Sequence, residues 1–116
     1  MIRLTGGNKL VNYKEDEMSA SVATDGSSPW FSGHFPDDPI LPGIAQLKMV
    51  ADLISKSEKD KLCMTRLSRV KFRKIVRPDE LIDIHVICIN KKEQYIFRIT
   101  SESEEVCSGR MFFTQI

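Results

Sequence analysis

Two histidines occur in the 116 residues, and one of them, His34, stands in the stretch GHFPDDPILPGIAQLKM from Gly33 to Met49. An imidazole has an unperturbed pKa of about 6.5, so it is available as a neutral base near pH 7. Gly33, Phe35 and Pro36 flank it, which makes for a rigid loop. Further on, Pro42 and Gly43 open a helix. Proline is tolerated in a first turn, where its missing N–H would have no intrahelical partner. The Gly43 N–H has no intrahelical acceptor either, and it lies at the positive end of the helix dipole. It therefore suits an oxygen that gains negative charge. A base and an anion-holding N–H are the parts needed to take a proton from carbon next to a carbonyl. Pro42-Gly43 equally suits a plain helix start. Lys48, inside the helix, is a poor acid at neutral pH, because an ammonium loses its proton near a pKa of about 10.4 unless burial lowers it. It can instead pair with Asp52 by an ordinary i, i+4 contact.

The elements that must position these residues follow from periodicity. Leu47, Val50, Ala51 and Ile54 recur at i, i+3, i+4 and i+7, and Met49 and Leu53 widen the stripe. The helix should end near SKSEKDK, after about 15 residues and roughly 23 Å. Gln46 falls one helical position off the apolar face. Trp30 to Leu41 is rich in Pro, Gly and Asp and reads as a loop. Before it, KLVNYKEDEMSASVAT mixes a charged turn with a short alternating run, and Met18 to Thr24 reads as a strand. After the helix the period changes to two, in RLSRVKFRKIV, LIDIHVICIN, EQYIFRITS and EVCSGRMFFTQ. Ile82, Ile84, Val86 and Cys88 share one face, while Asp83 and His85 share the other, which makes His85 structural or merely exposed. Successive strands without intervening helices make an antiparallel sheet, and one helix on its concave face buries both apolar surfaces. The class is α+β, with residues 1–116 as a single domain.

Composition narrows the function further. Lys and Arg total 17 against 16 Asp and Glu, which argues against a general nucleic-acid binder. Lys61, Arg66, Arg69, Lys71, Arg73, Lys74 and Arg77 nevertheless form a basic run without an acidic neighbour. Lys71 and Arg73 share the face opposite Val70 and Phe72, a surface that suits an anionic partner or plain solvation. No apolar run is long enough to span a bilayer, which takes roughly 18–20 residues. MIRLTGGNKL lacks the apolar core of a signal peptide, so the chain is expected in the cytoplasm. Cys63, Cys88 and Cys107 have neither disulfide nor zinc spacing, and are expected to be reduced and largely buried. No metal and no other cofactor is called for.

The segment GHFPDDPILPGIAQL resembles the active-site segment of the bacterial β-hydroxyacyl-acyl-carrier-protein dehydratases, and ILPGIAQL is most similar to their aryl-polyene branch. VKFRKIVRPDELI is similar to a second strand-and-turn segment of that family, at the expected distance. The resemblance implies a hot-dog fold, in which an antiparallel sheet wraps a long central helix. It also implies a homodimer or higher even oligomer, with an acyl-thioester tunnel at the subunit interface. Carried over, His34 removes the α-proton of a 3-hydroxyacyl thioester and Gly43 holds the thioester oxygen. The carboxyl that would assist departure of the hydroxyl falls at residue 48, which is Lys48. Asp37 and Asp79 stand where the family usually has glycine, and Asp tolerates a left-handed backbone better than most residues.

On this reading Trp30, Phe31, Phe35, Pro42 and Gln46 are candidates to contact the substrate. Lys71 and Arg73 are candidates to dock the carrier, because acyl carrier proteins are acidic and coenzyme A carries phosphates. The expected activity is that of a dehydratase-like protein on thioesters of acyl carrier protein or coenzyme A, in fatty-acid or polyene-type synthesis, with hydro-lyase activity altered or lost at Lys48. A non-catalytic subunit that binds acyl thioesters or pairs with a homologue is the alternative. A thioesterase, with Gln46 orienting water, is the second.

Overall fold

The structure, a computed structural model, describes residues 2–4, 8–13, 16–27, 40–57, 61–90 and 93–116. The chain runs β1 (Ile2–Leu4), β2 (Asn8–Tyr13), β3 (Glu17–Ala23), α1 (Gly43–Ser57), β4 (Leu62–Phe72), β5 (Leu81–Asn90), β6 (Gln94–Ser101) and β7 (Glu104–Gln115). The strands form one sheet in the order β1-β2-β3-β5-β6-β7-β4, with antiparallel pairing throughout. Because β3 and β4 lie far apart in that order, the connection through α1 must cross the intervening strands. Crossing there lets the helix bury its apolar side against the sheet. Ala45, Val50, Leu53 and Ile54 enter a core with Ala20, Val22, Ile82, Ile84, Val86, Phe97 and Ile99. No helix among the described residues is long and apolar enough to cross a membrane.

Alternation sets the two faces of the sheet. Ile82, Ile84 and Val86 are buried while His85, Ile87 and Ile89 are exposed. On β6, Tyr95, Phe97 and Ile99 point inward and Arg98 outward. Gly109 on β7 lies inward beneath Phe97 and Val70. An added Cβ there would come within 2.9 Å of the Phe97 Cζ, so a glycine is what lets the ring lie flat against the strand. Asp79, in the turn before β5, takes φ 64°, the left-handed conformation expected of an Asp in a glycine's place, and donates its N–H to the Thr24 carbonyl at 2.8 Å.

Three expectations change. The segment before Met18 is more than a charged turn, since β2 pairs along its whole length with β3, from Asn8 opposite Ala23 to Tyr13 opposite Met18. The basic strand starts earlier than Arg66 and stops at Phe72, the Arg73 N–H making one further bond to the Val106 carbonyl at 2.8 Å. The thiols are not uniformly buried: Cys63 is exposed, Cys88 partly so, and Cys107 buried. Cys63 belongs to β4, which pairs only with β7 among the described strands and leaves its other flank open.

Burial, with the Glu105 carboxylate adding to it, pushes the Cys107 thiol up from 9.0 to about 11. The unfolded chain thus releases this proton at lower pH than the folded chain. Stability should be intact below pH 9.0 and fall as the pH climbs through about 11. In urea denaturation series across that window, Cys107→Ala should show a shallower loss than the parent protein. Equal slopes would mean that the thiol does not titrate differently in the two states.

Candidate functional site

The start of α1 is fixed from two sides. The Leu41 N–H donates to the Val76 carbonyl at 2.7 Å, which ties the approach to the helix to the segment after β4. The Gln46 amide donates through Nε2 to the Leu41 carbonyl at 3.3 Å. The Pro42 carbonyl accepts from Ala45 at 3.1 Å and from Gln46 at 3.2 Å, so the helical ladder begins there. The N–H groups of Gly43 and Ile44 consequently precede the first donor of the ladder. The first turn holds no acidic side chain, so its partial positive charge is not offset from within the helix.

Phe72 covers this end. A Cβ built on Gly43 would stand 2.6 Å from the Phe72 Cζ and 2.8 Å from its Cε1. The glycine thus lets an aromatic ring lie directly against the helix start. Phe72 is 51% exposed and Ile44 70% exposed, so the helix end and its aromatic cover present apolar surface outward. Sequence reading assigned Phe72 only to a strand face. What brings it to Gly43 is the long-range pairing of β4, which no local pattern encodes.

Gln46 is not off the buried face. It is 2% exposed, and its Oε1 has no hydrogen-bond partner among the described residues. A buried carbonyl oxygen left without a donor costs about 1–3 kcal/mol. Lys48 has the opposite character. Its side chain is 59% exposed and its Nζ lies 3.2 Å from Asp52 Oδ2, the i, i+4 pair expected from spacing. Five residues carry it about 140° round the helix from Gly43, so the two do not share a face. Trp30, Phe31, His34, Phe35 and Asp37 lie outside the described residues.

Lys71 and Arg73 sit away from Gly43, on the outer face of the sheet. They line an open groove of about 820 Å³ with Arg69, Arg98, Arg110, His85 and Glu105. The Glu105 carboxylate holds Arg73 Nε at 2.6 Å and Arg98 Nε at 3.3 Å. Arg98 and Arg110 come from the part of the sequence richer in acidic residues, and only strand pairing assembles them with the basic run.

The chain is similar to known proteins in sequence and in fold. Residues 10–110 match the ApeI-like family, described as ApeI dehydratase. The chain is 34% identical over 98 residues to the 3-hydroxyacyl-(acyl-carrier-protein) dehydratase FabZ of Caldicellulosiruptor saccharolyticus, covering 75% of this chain and 69% of that protein. It is 37% identical over 95 residues to the protein of the same description from Pediococcus pentosaceus, covering 72% of this chain and 63% of that one. Among solved structures it is similar to a chain of the dehydratase heterocomplex ApeI:P from Xenorhabdus doucetiae, with TM-score 0.84 and 22% identity over 92% of this chain and 96% of that chain. It is also similar in fold to a hypothetical thioesterase protein with coenzyme A from Streptococcus pneumoniae, with TM-score 0.70 and 14% identity over 93% and 87% of the two chains.

The contact between Gly43 and Phe72 can be tested by a double-mutant cycle in chemical denaturation. Gly43→Ala should cost about 1–3 kcal/mol in the parent protein through overpacking, and less than about 0.5 kcal/mol in Phe72→Ala. An equal cost in both backgrounds would remove the ring from the helix start.

Proposed function

The chain belongs to the ApeI-like dehydratase family, and from that membership we propose that it binds 3-hydroxyacyl thioesters, with His34 as base and Gly43 as oxyanion donor. The observation that carries this is the unoffset helix start at Gly43, nine residues after His34 in a chain of this family. In this reading the His34 imidazole takes the α-proton. The electron pair of the broken C–H bond moves toward the thioester carbonyl, and the Gly43 N–H holds the oxygen as negative charge grows. When the pair returns to form the α,β double bond, the β C–O bond breaks. The departing hydroxyl needs a proton to leave as water, so the products are an enoyl thioester and water.

Lys48 decides how well that last step runs. An exposed ammonium already paired with a carboxylate is a weak proton donor at neutral pH. We therefore assign this chain altered hydro-lyase activity when alone, and full activity where a homologous subunit brings a carboxyl to the same place. Trp30, Phe31 and Phe35 would line the acyl path beside Pro42. Gln46 would act by holding Leu41, hence the helix start, and Lys71 and Arg73 would face the carrier. A subunit interface has an available surface: the open flank of β4, where Met64, Leu67 and Phe72 are partly exposed. An edge strand of this length is normally covered or paired. One chain of the solved dehydratase heterocomplex ApeI:P has this fold, which supports the partner-subunit reading over a thioesterase.

Two experiments test these statements. Conversion of 3-hydroxyacyl thioesters should be feeble in the parent protein and rise on Lys48→Glu by part of the roughly 10²–10⁴-fold that a general acid supplies. His34→Ala should erase the gain. Robust parent activity that Lys48→Met destroys would instead make Lys48 the donor. For the interface, light scattering at micromolar concentration should give a dimer, and Leu67→Asp on the β4 flank should weaken it. A strictly monomeric parent protein would end the model of a site completed by its own second copy.

A further inference from the structure

Across the outer face of the sheet, one row of directly opposed residues joins four strands. Arg110 on β7 stands opposite Ile96 on β6, Ile96 opposite Ile87 on β5, and Ile87 opposite Glu17 on β3. The row therefore reads cation, isoleucine, isoleucine, carboxylate. Neighbours in such a row lie about 5 Å apart on one face, so the two isoleucines touch and form a continuous apolar strip. Ile87 is 45% exposed, and Ile89, two residues further along the same face, is 55% exposed.

Cations gather at one end of this strip. In the adjacent row Lys71 stands opposite Ser108, and Ser108 opposite Arg98. The one-residue bulge after Ser68, where Arg69 takes φ 55°, is what returns Lys71 to the outer face, diagonal to Arg110. Lys71, Arg98 and Arg110 line the open groove of about 820 Å³ together with Ile87 and Ile96. Glu105, the one carboxylate of that lining, lies 2.6 Å from Arg73 Nε and 3.3 Å from Arg98 Nε. Cations of this groove thus already take a carboxylate. Lys71 and Arg110 have no carboxylate partner among the described residues.

We propose that the groove binds a free fatty-acid anion of medium chain length, its carboxylate on Arg110 and Lys71 and its chain over Ile96 and Ile87. The row sets both orientation and length. A carboxylate is held at the Arg110 end and repelled at the Glu17 end. Two strand spacings, about 10 Å, separate Arg110 from Ile87, and a third brings the chain to Glu17 at about 14 Å. An extended chain of roughly eight to ten carbons therefore covers both isoleucines before it meets a charge. A flat membrane surface would not fill a concave groove. A nucleic-acid backbone would leave the isoleucines bare. The site uses neither His34 nor Gly43, and it stands apart from the thioester reading.

Calorimetric titration with sodium octanoate and its homologues, each below its micelle-forming concentration, tests this. Octanoate should bind at a single site with an affinity that falls as salt rises, and neutral 1-octanol should bind roughly tenfold more weakly. From hexanoate to decanoate each added CH₂ should strengthen binding roughly twofold to fourfold, with no further gain in dodecanoate. Glu17→Leu should let that gain continue into dodecanoate, because it removes the charge at the end of the row. The double variant Lys71→Gln, Arg110→Gln should bind octanoate roughly tenfold more weakly while keeping the chain-length increments. If circular dichroism shows that it does not fold, Ile87→Ser decides instead, and should shrink the increments. Equal binding of octanol and octanoate would overturn the proposal, as would gains that continue past decanoate in the parent protein. So would a Glu17→Leu variant that still stops at decanoate. Binding lost in Phe72→Ala but kept in the groove variants would place the ligand at the helix start and overturn the groove site. Sedimentation with phosphatidylglycerol vesicles, without any binding of octanoate or decanoate, would replace it with a membrane surface.

Discussion

The hydrogen bond from the Leu41 N–H to the Val76 carbonyl governs where the helix begins. It links the approach to α1 with the segment between β4 and β5, two parts of the chain that are distant in sequence. Gln46 reinforces it from inside the helix by donating to the same residue's carbonyl. Phe72, at the end of β4, then lies against Gly43. A helix terminus left to itself frays. Here the first turn is held by a strand-side carbonyl, a buried amide and an aromatic ring. That holds the Gly43 N–H in place, which is the condition its proposed oxyanion role would need.

The same constraint explains the irregularity of β4. In a strand of strict alternation, a one-residue slip moves every side chain to the other face. Arg66 and Ser68 point outward, so an uninterrupted strand would also turn Phe72 outward and Lys71 toward the core. The extra residue after Ser68 reverses this. Phe72 reaches Gly43, Lys71 reaches solvent, and the left-handed Arg69 bears the strain. One bulge thereby serves both faces of the sheet, the side that fixes the helix start and the side that gathers the cations.

Much of this was legible where the signal is local. The helix stripe from Leu47 to Ile54 placed α1, and the alternation in LIDIHVICIN placed β5 over the observed residues. The Asp79 turn followed from the tolerance of Asp for left-handed backbone. What sequence periodicity missed depends on pairing over long distances. β2 exists through its register with β3, and β1 through its register with β2, and their charged surroundings mask that. Phe72 alternates as any strand residue does until β4 is set beside β7. Gln46 looked peripheral because it falls one helical position off the apolar stripe, whereas it is buried and donates to the Leu41 carbonyl.

Lys48 is cheap for the fold, whatever it does for the chemistry. Its pairing with Asp52 is exposed at both ends, and pairs of that kind contribute about 0–1 kcal/mol. The order is also the weaker one, with the cation nearer the helix N-terminus than the carboxylate. Neither packing nor electrostatics of the chain demands a lysine there, so its effect must be sought outside the monomer's own stability. An ammonium on an open helix face repels a neighbouring cation and attracts a carboxylate. On the proposed dehydratase reading, an acid-bearing neighbour would both pair with Lys48 and supply the carboxyl that the site calls for.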